Sequence, residues 1–283
     1  MSAATTFRVG LLGHGIGPSL TPAMHVEEAT LLGLDYTYEV FDLLDRPDVD
    51  LGAELTRLEE LGYAAVNVTH PFKQQVLAHV DERSDAVARI GATNLVLLGE
   101  RRVAHNTDYR GFLGGLEGFL GERPRGTVLQ VGAGGAGLAT ACALIDLGFE
   151  RIVVHDRSED AVGRLIDRFQ GNVHLATTGG DLAPWLGRAE GVVHVTPTGM
   201  REHPGIAFDV DLLAEDGWVA EVVYRPLETE LVRRARARGL ATLDGGAMAV
   251  GQAVESLRLI TGRDPDDDRV HAHFERLIAA DAG

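Results

Sequence analysis

The 283-residue chain holds a single cysteine, Cys142, which rules out an internal disulfide and a multi-cysteine zinc site. No apolar run approaches the roughly 20 residues that span a bilayer, because glycine or charge cuts the longest ones. The opening MSAATTFRVGLLG has no basic stretch ahead of an apolar one, so it does not read as a signal peptide, and a cytoplasmic location is expected. Positive charge is scarce: 26 Lys and Arg stand against 42 Asp and Glu, for a net charge of −16. Such a chain repels nucleic acid and anionic membranes unless a basic patch intervenes, so neither is expected as a partner. The densest basic group, RRARAR from Arg233 to Arg238, shares a helix-like stretch with apolar positions and reads as a solvated helix face. The 11 histidines show no H-E-x-x-H spacing, and no convincing Ser-His-Asp arrangement occurs. His271 and His273 read as surface helix residues, Asp266 to Asp268 as a helix cap, and no metal is expected. Lysine is nearly absent too. Lys73 is the only one among 26 basic residues, and arginine can replace neither its compact amine nor its titration.

What remains is ordinary for a globular chain: 45% hydrophobic and 24% charged residues, with no repeats or low-complexity tract. The length suits two domains of roughly 100–150 residues. Strands and helices alternate, the α/β pattern. Strands are expected over 7–12, 36–43, 64–69 and 128–131, and at IVVH, VHLAT, GVVHVT, WVAEVVY and LATLD. Helices are expected over 21–32, 51–61, 72–80 and 82–90, and NLVLLG with RVAHN reads as a hairpin around Gly99. Two helices close the chain. The reading is an α/β substrate-binding catalytic domain over 1–109, to which the helices of 246–283 return. A doubly wound dinucleotide-binding domain follows over 110–245.

The segment TVLQVGAGGAGLATACALIDLGFERIVVHDRS places a glycine turn between a strand and a helix. Gly132, Gly134 and Gly137 form G-x-G-x-x-G in a βαβ unit, with Ala133, Gly135 and Ala136 between them. Such a turn brings backbone N–H groups and a helix N-terminus to a pyrophosphate. Asp156 lies 24 positions after Gly132, close to the roughly 20 expected of a carboxylate that holds a ribose 2′-hydroxyl. A carboxylate there repels a 2′-phosphate and favours NAD. Arg157 follows directly and can hold a phosphate, which keeps NADP as the alternative. In the first half, Ser19, Thr21, Asn67, Thr69, Lys73, Asn94, Asn106 and Asp108 fall at strand ends. Amides, hydroxyls, an ammonium and a carboxylate suit a small polyhydroxylated acid.

GIGPSLTPAMH, NVTHPFK, GATN, HNTD, GAGGAG, VTPTGM, VVYRPLETEL and GGAMAVGQA occur in the order seen in the shikimate dehydrogenase family, across nearly the whole chain. Within that family the chain resembles most the NAD-using quinate/shikimate dehydrogenases. The resemblance implies a substrate domain and a Rossmann domain facing each other across a cleft, with the terminal helices packed on the former. It implies that Ser19 and Thr21 hold a substrate carboxylate and that Thr69, Asn94 and Gln252 bind ring hydroxyls. Lys73 and Asp108 match the catalytic pair, Tyr224 and Met248 lie near nicotinamide and substrate, and Thr196 lines the cofactor side. The partner is then a cyclic polyhydroxy carboxylate, and the protein a monomer or homodimer.

Three motifs depart from the commonest pattern. Ser19-Leu20-Thr21-Pro22 replaces Ser-x-Ser-Pro, adding a methyl near the acid group. Asp156-Arg157-Ser158 replaces Asn-Arg-Thr. Gly-Ala-Thr-Asn94-Leu95 replaces Gly-Ala-Val-Asn-Thr. The expected chemistry is reversible oxidation of a ring alcohol, with Lys73 as general base and Asp108 assisting. A neighbouring carboxylate raises a lysine's pKa, so either burial offsets this or the pair shares the proton. The rivals are an NADP-dependent biosynthetic shikimate dehydrogenase, an enzyme for an altered ring, and a non-catalytic dinucleotide sensor.

Overall fold

The computed structural model describes residues 6–46, 48–170, 175–178 and 180–281. The chain divides into two compact units: one runs to Thr107 and resumes at Val250, and the other is Asp108–Ala249. The first unit begins with β1 (Thr6–Gly13), α1 (Thr21–Leu31), β2 (Asp35–Asp42), α2 (Leu51–Glu60) and β3 (Ala65–Val68). β4 (Glu82–Arg83), α3 (Asp85–Ile90), β5 (Leu95–Leu97) and β6 (Val103–His105) follow. Their six-stranded sheet has the order β2-β1-β3-β5-β6-β4. β1 is parallel to β2 and β3, whereas β5 runs antiparallel to both β3 and β6, forming the expected hairpin. Pro22 sits in the first turn of α1, where no backbone donor is needed. Asp50 caps α2 by accepting from the Ala53 N–H.

Two local expectations fail here. Residues 72–80 give no α-helix but a short 3-10 turn over Gln75–His79. The Lys73 carbonyl accepts from the Thr93 N–H at 2.8 Å, so Leu77 turns to Gln74 instead. Residues 82–90 are not one helix either. Glu82 and Arg83 pair in parallel with Val103 and Ala104, and Ser84 then caps a shorter α3 by accepting from Val87 N–H.

The second unit contains α4 (Thr107–Leu120, shared at its first residue), β7 (Thr127–Val131), α5 (Gly135–Asp146), β8 (Arg151–His155) and α6 (Glu159–Arg168). Next come β9 (Leu175–Thr177), α7 (Ala183–Leu186), β10 (Gly191–His194), β11 (Trp218–Glu221), α8 (Glu230–Ala237) and β12 (Ala241–Leu243). Val173 and His174 of the expected VHLAT strand lie outside the described residues. The strand order β12-β11-β10-β7-β8-β9 is the doubly wound Rossmann order, parallel throughout, with its switch point between β7 and β10. Leu129, Val153, Val192, Val219 and Leu231 are buried in the core on this sheet. α5 is buried over Gly137–Leu144, and its small residues let it pack close to the strands.

β11 stops at Glu221 instead of running through VVY. The Val222 N–H still reaches His194 O, but it and the Val223 N–H also donate to the Glu221 carboxylate, and the ladder ends there. α8 buries Leu231, Val232 and Ala235 and carries Arg233 and Arg234 on its exposed face, paired with Glu230. α9 (Gly246–Thr261) and α10 (Asp267–Asp281) end the chain. Asp266 caps α10 by accepting from the Arg269 N–H. The expectation for His273 is corrected. Its side chain is only 12% exposed and reaches Glu27, because it faces α1, whereas His271 is exposed.

Candidate functional site

In the first unit the candidate residues sit where strands end. Asp42, at the end of β2, accepts from the Gly15 and Ile16 N–H groups at 2.9 Å each. Burial opposes its ionisation, but the N–H donors of Gly15, Leu44, Ile16 and Gly17 outweigh it and hold the carboxyl below its ordinary range. This fixes the turn that leads into Ser19, whose Oγ accepts from the Thr21 N–H. Gln252 of α9 donates to Thr21 Oγ1 at 3.2 Å, so Ser19, Thr21 and Gln252 come together. Thr69 donates its N–H to Leu12 O, and its methyl stands against Gly13, where a Cβ would lie 2.5 Å away.

Asn94 is oriented by Thr107. Its Oδ1 accepts from the Thr107 N–H at 2.7 Å and its Nδ2 donates to Thr107 Oγ1 at 2.9 Å. One Nδ2 hydrogen remains, so Asn94 is set to offer a donor to a hydroxyl. Ser256, one turn after Gln252 on α9, lies 3.1 Å from both Thr107 Oγ1 and Asn67 Nδ2. Asn67 also donates to Asn94 O and accepts from Tyr38. Lys73 follows the cis His70–Pro71 bond and is tied to Thr93 through its carbonyl. His70 is held below the usual imidazole range, first by burial and then by His14 and the Lys73 ammonium. Asp108 is buried in the first turn of α4. Lys73 belongs to the first unit and Asp108 opens the second.

In the second unit Gly132 has φ +120°, and a Cβ there would lie 2.5 Å from Val195 O and 3.1 Å from the Thr196 methyl. A Cβ on Gly137 would lie 2.6 Å from Gly132 O. At Gly134 nothing among the described residues beyond its chain neighbours lies within 4 Å of a Cβ, and α5 starts there without a side-chain cap. The turn is closed toward the sheet and open over the N-terminus of α5, with Ala133, Gly135 and Ala136 lining it. Uncapped N–H donors facing open space fit a pyrophosphate. Gln130, fully buried, braces the turn by donating to Gly132 O and Gly137 O at 2.9 Å while accepting from Thr140.

Asp156 ends β8. Its Oδ2 accepts from the Ala133 N–H at 2.8 Å and its Oδ1 from the Ser158 N–H at 2.9 Å. The carboxylate is pinned beside the glycine turn, and Arg157 next to it is exposed. Thr196 follows β10, and its Oγ1 lies 2.5 Å from His194 Nε2. Tyr224 and Met248 are half-buried. Gly245 packs against the Val222 and Val223 carbonyls, which pins the segment carrying Tyr224 to the start of α9, which carries Met248. Sequence reading missed Asp42, Gln130, His194, Glu221 and Ser256. The available signal was a polar residue inside or closing an otherwise apolar strand, as in TVLQV, GVVH and WVAE. Among the described residues no group of three or more His, Cys, Asp or Glu is placed to hold a metal ion, and no helix is long and apolar enough to cross a membrane.

A family profile described as the shikimate dehydrogenase substrate binding domain matches residues 11–96. The chain is 43% identical to a shikimate dehydrogenase (NADP+) of Arthrobacter sp. strain FB24, over 98% of this chain and 97% of that protein. It is 41% identical to a quinate/shikimate dehydrogenase (NAD+) of Corynebacterium efficiens, over 95% and 98%. The solved quinate dehydrogenase from Corynebacterium glutamicum in complex with NAD superposes with a TM-score of 0.89 at 40% identity, covering 96% of this chain and 99% of that one.

Proposed function

Since this chain belongs to the shikimate dehydrogenase family, we propose that it is an NAD-preferring dehydrogenase that oxidises a ring hydroxyl of quinate or shikimate reversibly to the 3-dehydro product. The first unit takes the ring acid and the second the dinucleotide. Ser19 and Thr21 hydroxyls bind the carboxylate, with Gln252 holding Thr21 in place. Thr69, Asn94 and Gln252 bind ring hydroxyls, and the fixed amide of Asn94 donates. A bound nicotinamide supplies the acceptor for the hydride. Lys73 takes the proton of the reacting hydroxyl, and Asp108 assists. The glycine turn over 132–137 holds the pyrophosphate, Thr196 and Met248 line the nicotinamide side, and Tyr224 borders the substrate.

The observation that carries the NAD preference is the pinned carboxylate of Asp156. Two backbone N–H groups hold it, so it does not swing aside for a 2′-phosphate, while its remaining lone pairs suit a ribose hydroxyl. A second reading, NADP with shikimate, is supported by the exposed Arg157 and by the likeness to the NADP-named Arthrobacter protein. Initial rates at alkaline pH for quinate and shikimate, each with NAD and NADP, decide between them. NAD-supported turnover is expected, and turnover confined to NADP with shikimate overturns the proposal in favour of Arg157. K73A is expected to bind NAD normally and turn over neither acid, and unchanged turnover removes Lys73 from the mechanism.

A further inference from the structure

Beneath the loop that carries Thr196 lies a buried pair to which the proposed function gives no part. His194 closes β10 and Glu221 closes β11, adjacent strands in register, with side chains 1% and 0% exposed. His194 Nδ1 lies 2.8 Å from Glu221 Oε1 and 3.0 Å from Oε2. Glu221 Oε1 also accepts from the Val222 and Val223 N–H groups at 2.9 and 3.0 Å. Oε2 lies 3.2 Å from Thr229 Oγ1, which itself accepts from the Val232 N–H. The Thr229 hydroxyl proton is therefore directed at Glu221. Three donors converge on an acceptor-only carboxylate, and the fourth contact must come from an Nδ1–H.

That assignment propagates outward. With the proton on Nδ1, a neutral imidazole offers a lone pair at Nε2. In that neutral form Thr196 Oγ1, 2.5 Å away, donates its only proton to the lone pair. The same oxygen accepts from the Thr198 N–H at 3.2 Å. One lone pair is left, beside the methyl that stands against Gly132. We infer that His194 and Glu221 are a positioning pair that fixes the polarity of Thr196, so that it meets the bound dinucleotide as a hydrogen-bond acceptor. The ligand group it serves is therefore a donor. The same carboxylate turns the chain at Val222 and Val223 toward Tyr224, so one buried group sets both segments. This inference rests on the reading that Thr196 lines the dinucleotide site.

A double-mutant cycle tests it. T196V is expected to raise KM for NAD about tenfold, one hydrogen bond's worth, with KM for the ring acid unmoved. H194F, which keeps a ring but removes Nε2, is expected to raise KM for NAD similarly in the parent and to add nothing in the T196V background. H194Q is expected to restore most of the affinity, since an amide can donate to Glu221 and accept from Thr196. An effect of T196V with none from H194F, or with additive effects, overturns the inference and spares the site reading. No effect of T196V overturns the site reading itself. The unaltered protein gives an independent readout that needs no variant to fold. Nitrogen-15 spectra of histidine-labelled enzyme, with His194 identified through its proximity to Thr196 and Val222, should show the neutral Nδ1–H tautomer. An Nε2–H tautomer or an imidazolium at that position refutes the polarity.

Discussion

Replacing Asp156 by serine tests the proposal that its charge decides between the two dinucleotides. The carboxylate is held against the Ala133 and Ser158 N–H groups, so its position is set before a ligand arrives. A 2′-phosphate dianion placed roughly 6 Å away is repelled by about 1.4 kcal/mol at a dielectric of about 80 and by about 5.5 kcal/mol at about 20. Asp156 is half-buried, so screening pulls the value toward the lower figure. The floor is about tenfold in relative affinity. D156S also retains a hydroxyl that can accept from one of the two N–H groups, which limits disturbance of the turn. The ratio of kcat/KM with NADP to that with NAD, measured by initial rates at one ionic strength, is expected to rise at least about tenfold. Raising the salt should shrink the effect, because the repulsion is between partly exposed charges. A ratio that stays put in D156S refutes the electrostatic argument and leaves Arg157 as the determinant.

Other perturbations have equally definite outcomes. G137A places a Cβ 2.6 Å from Gly132 O and should lower stability by about 1–3 kcal/mol, seen as a drop in thermal midpoint. G134A meets nothing within 4 Å, so it should keep its thermal midpoint yet bind the dinucleotide several-fold more weakly by calorimetry; equal binding removes the pyrophosphate from that turn. Q130L strands the Gly132 carbonyl in a buried site, while the Thr140 hydroxyl and the Gly137 carbonyl keep each other, and should cost about 1–3 kcal/mol by urea denaturation. Glu54, held below the ordinary carboxylate range by its hydrogen bond from Arg57 against burial, and Asp42 both have depressed folded values. Their stabilisation is complete above the unfolded carboxylate range near pH 4 and is lost as pH falls through the folded values. Denaturation midpoints between pH 7 and pH 3 should therefore fall on the acid side, less steeply in E54Q, and an unchanged acid limb in E54Q contradicts this assignment.

The strand–helix alternation and the glycine turn were legible because they rest on local rules. A buried parallel strand needs an apolar run, and a tight turn against a neighbouring strand needs a residue without a Cβ, as Gly132 does beside Val195. What escaped was set by partners distant in sequence. The failed helix at 72–80 turns on Thr93 claiming the Lys73 carbonyl, and the split at Ser84 turns on a ladder with β6; neither partner lies in the window that a periodicity reads. The braces of the site escaped for a related reason. Gln130, His194 and Glu221 lie on the three central strands of one parallel sheet, and only the register, which places Val131, His194 and Glu221 side by side, shows that the last two must meet. A polar side chain at the carboxyl end of a buried strand costs free energy unless something pairs with it. Three such residues on neighbouring strands therefore call for partners before any partner is known. In this chain Gln130 finds them in the glycine turn, and His194 finds them in Glu221 and in the loop that carries Thr196.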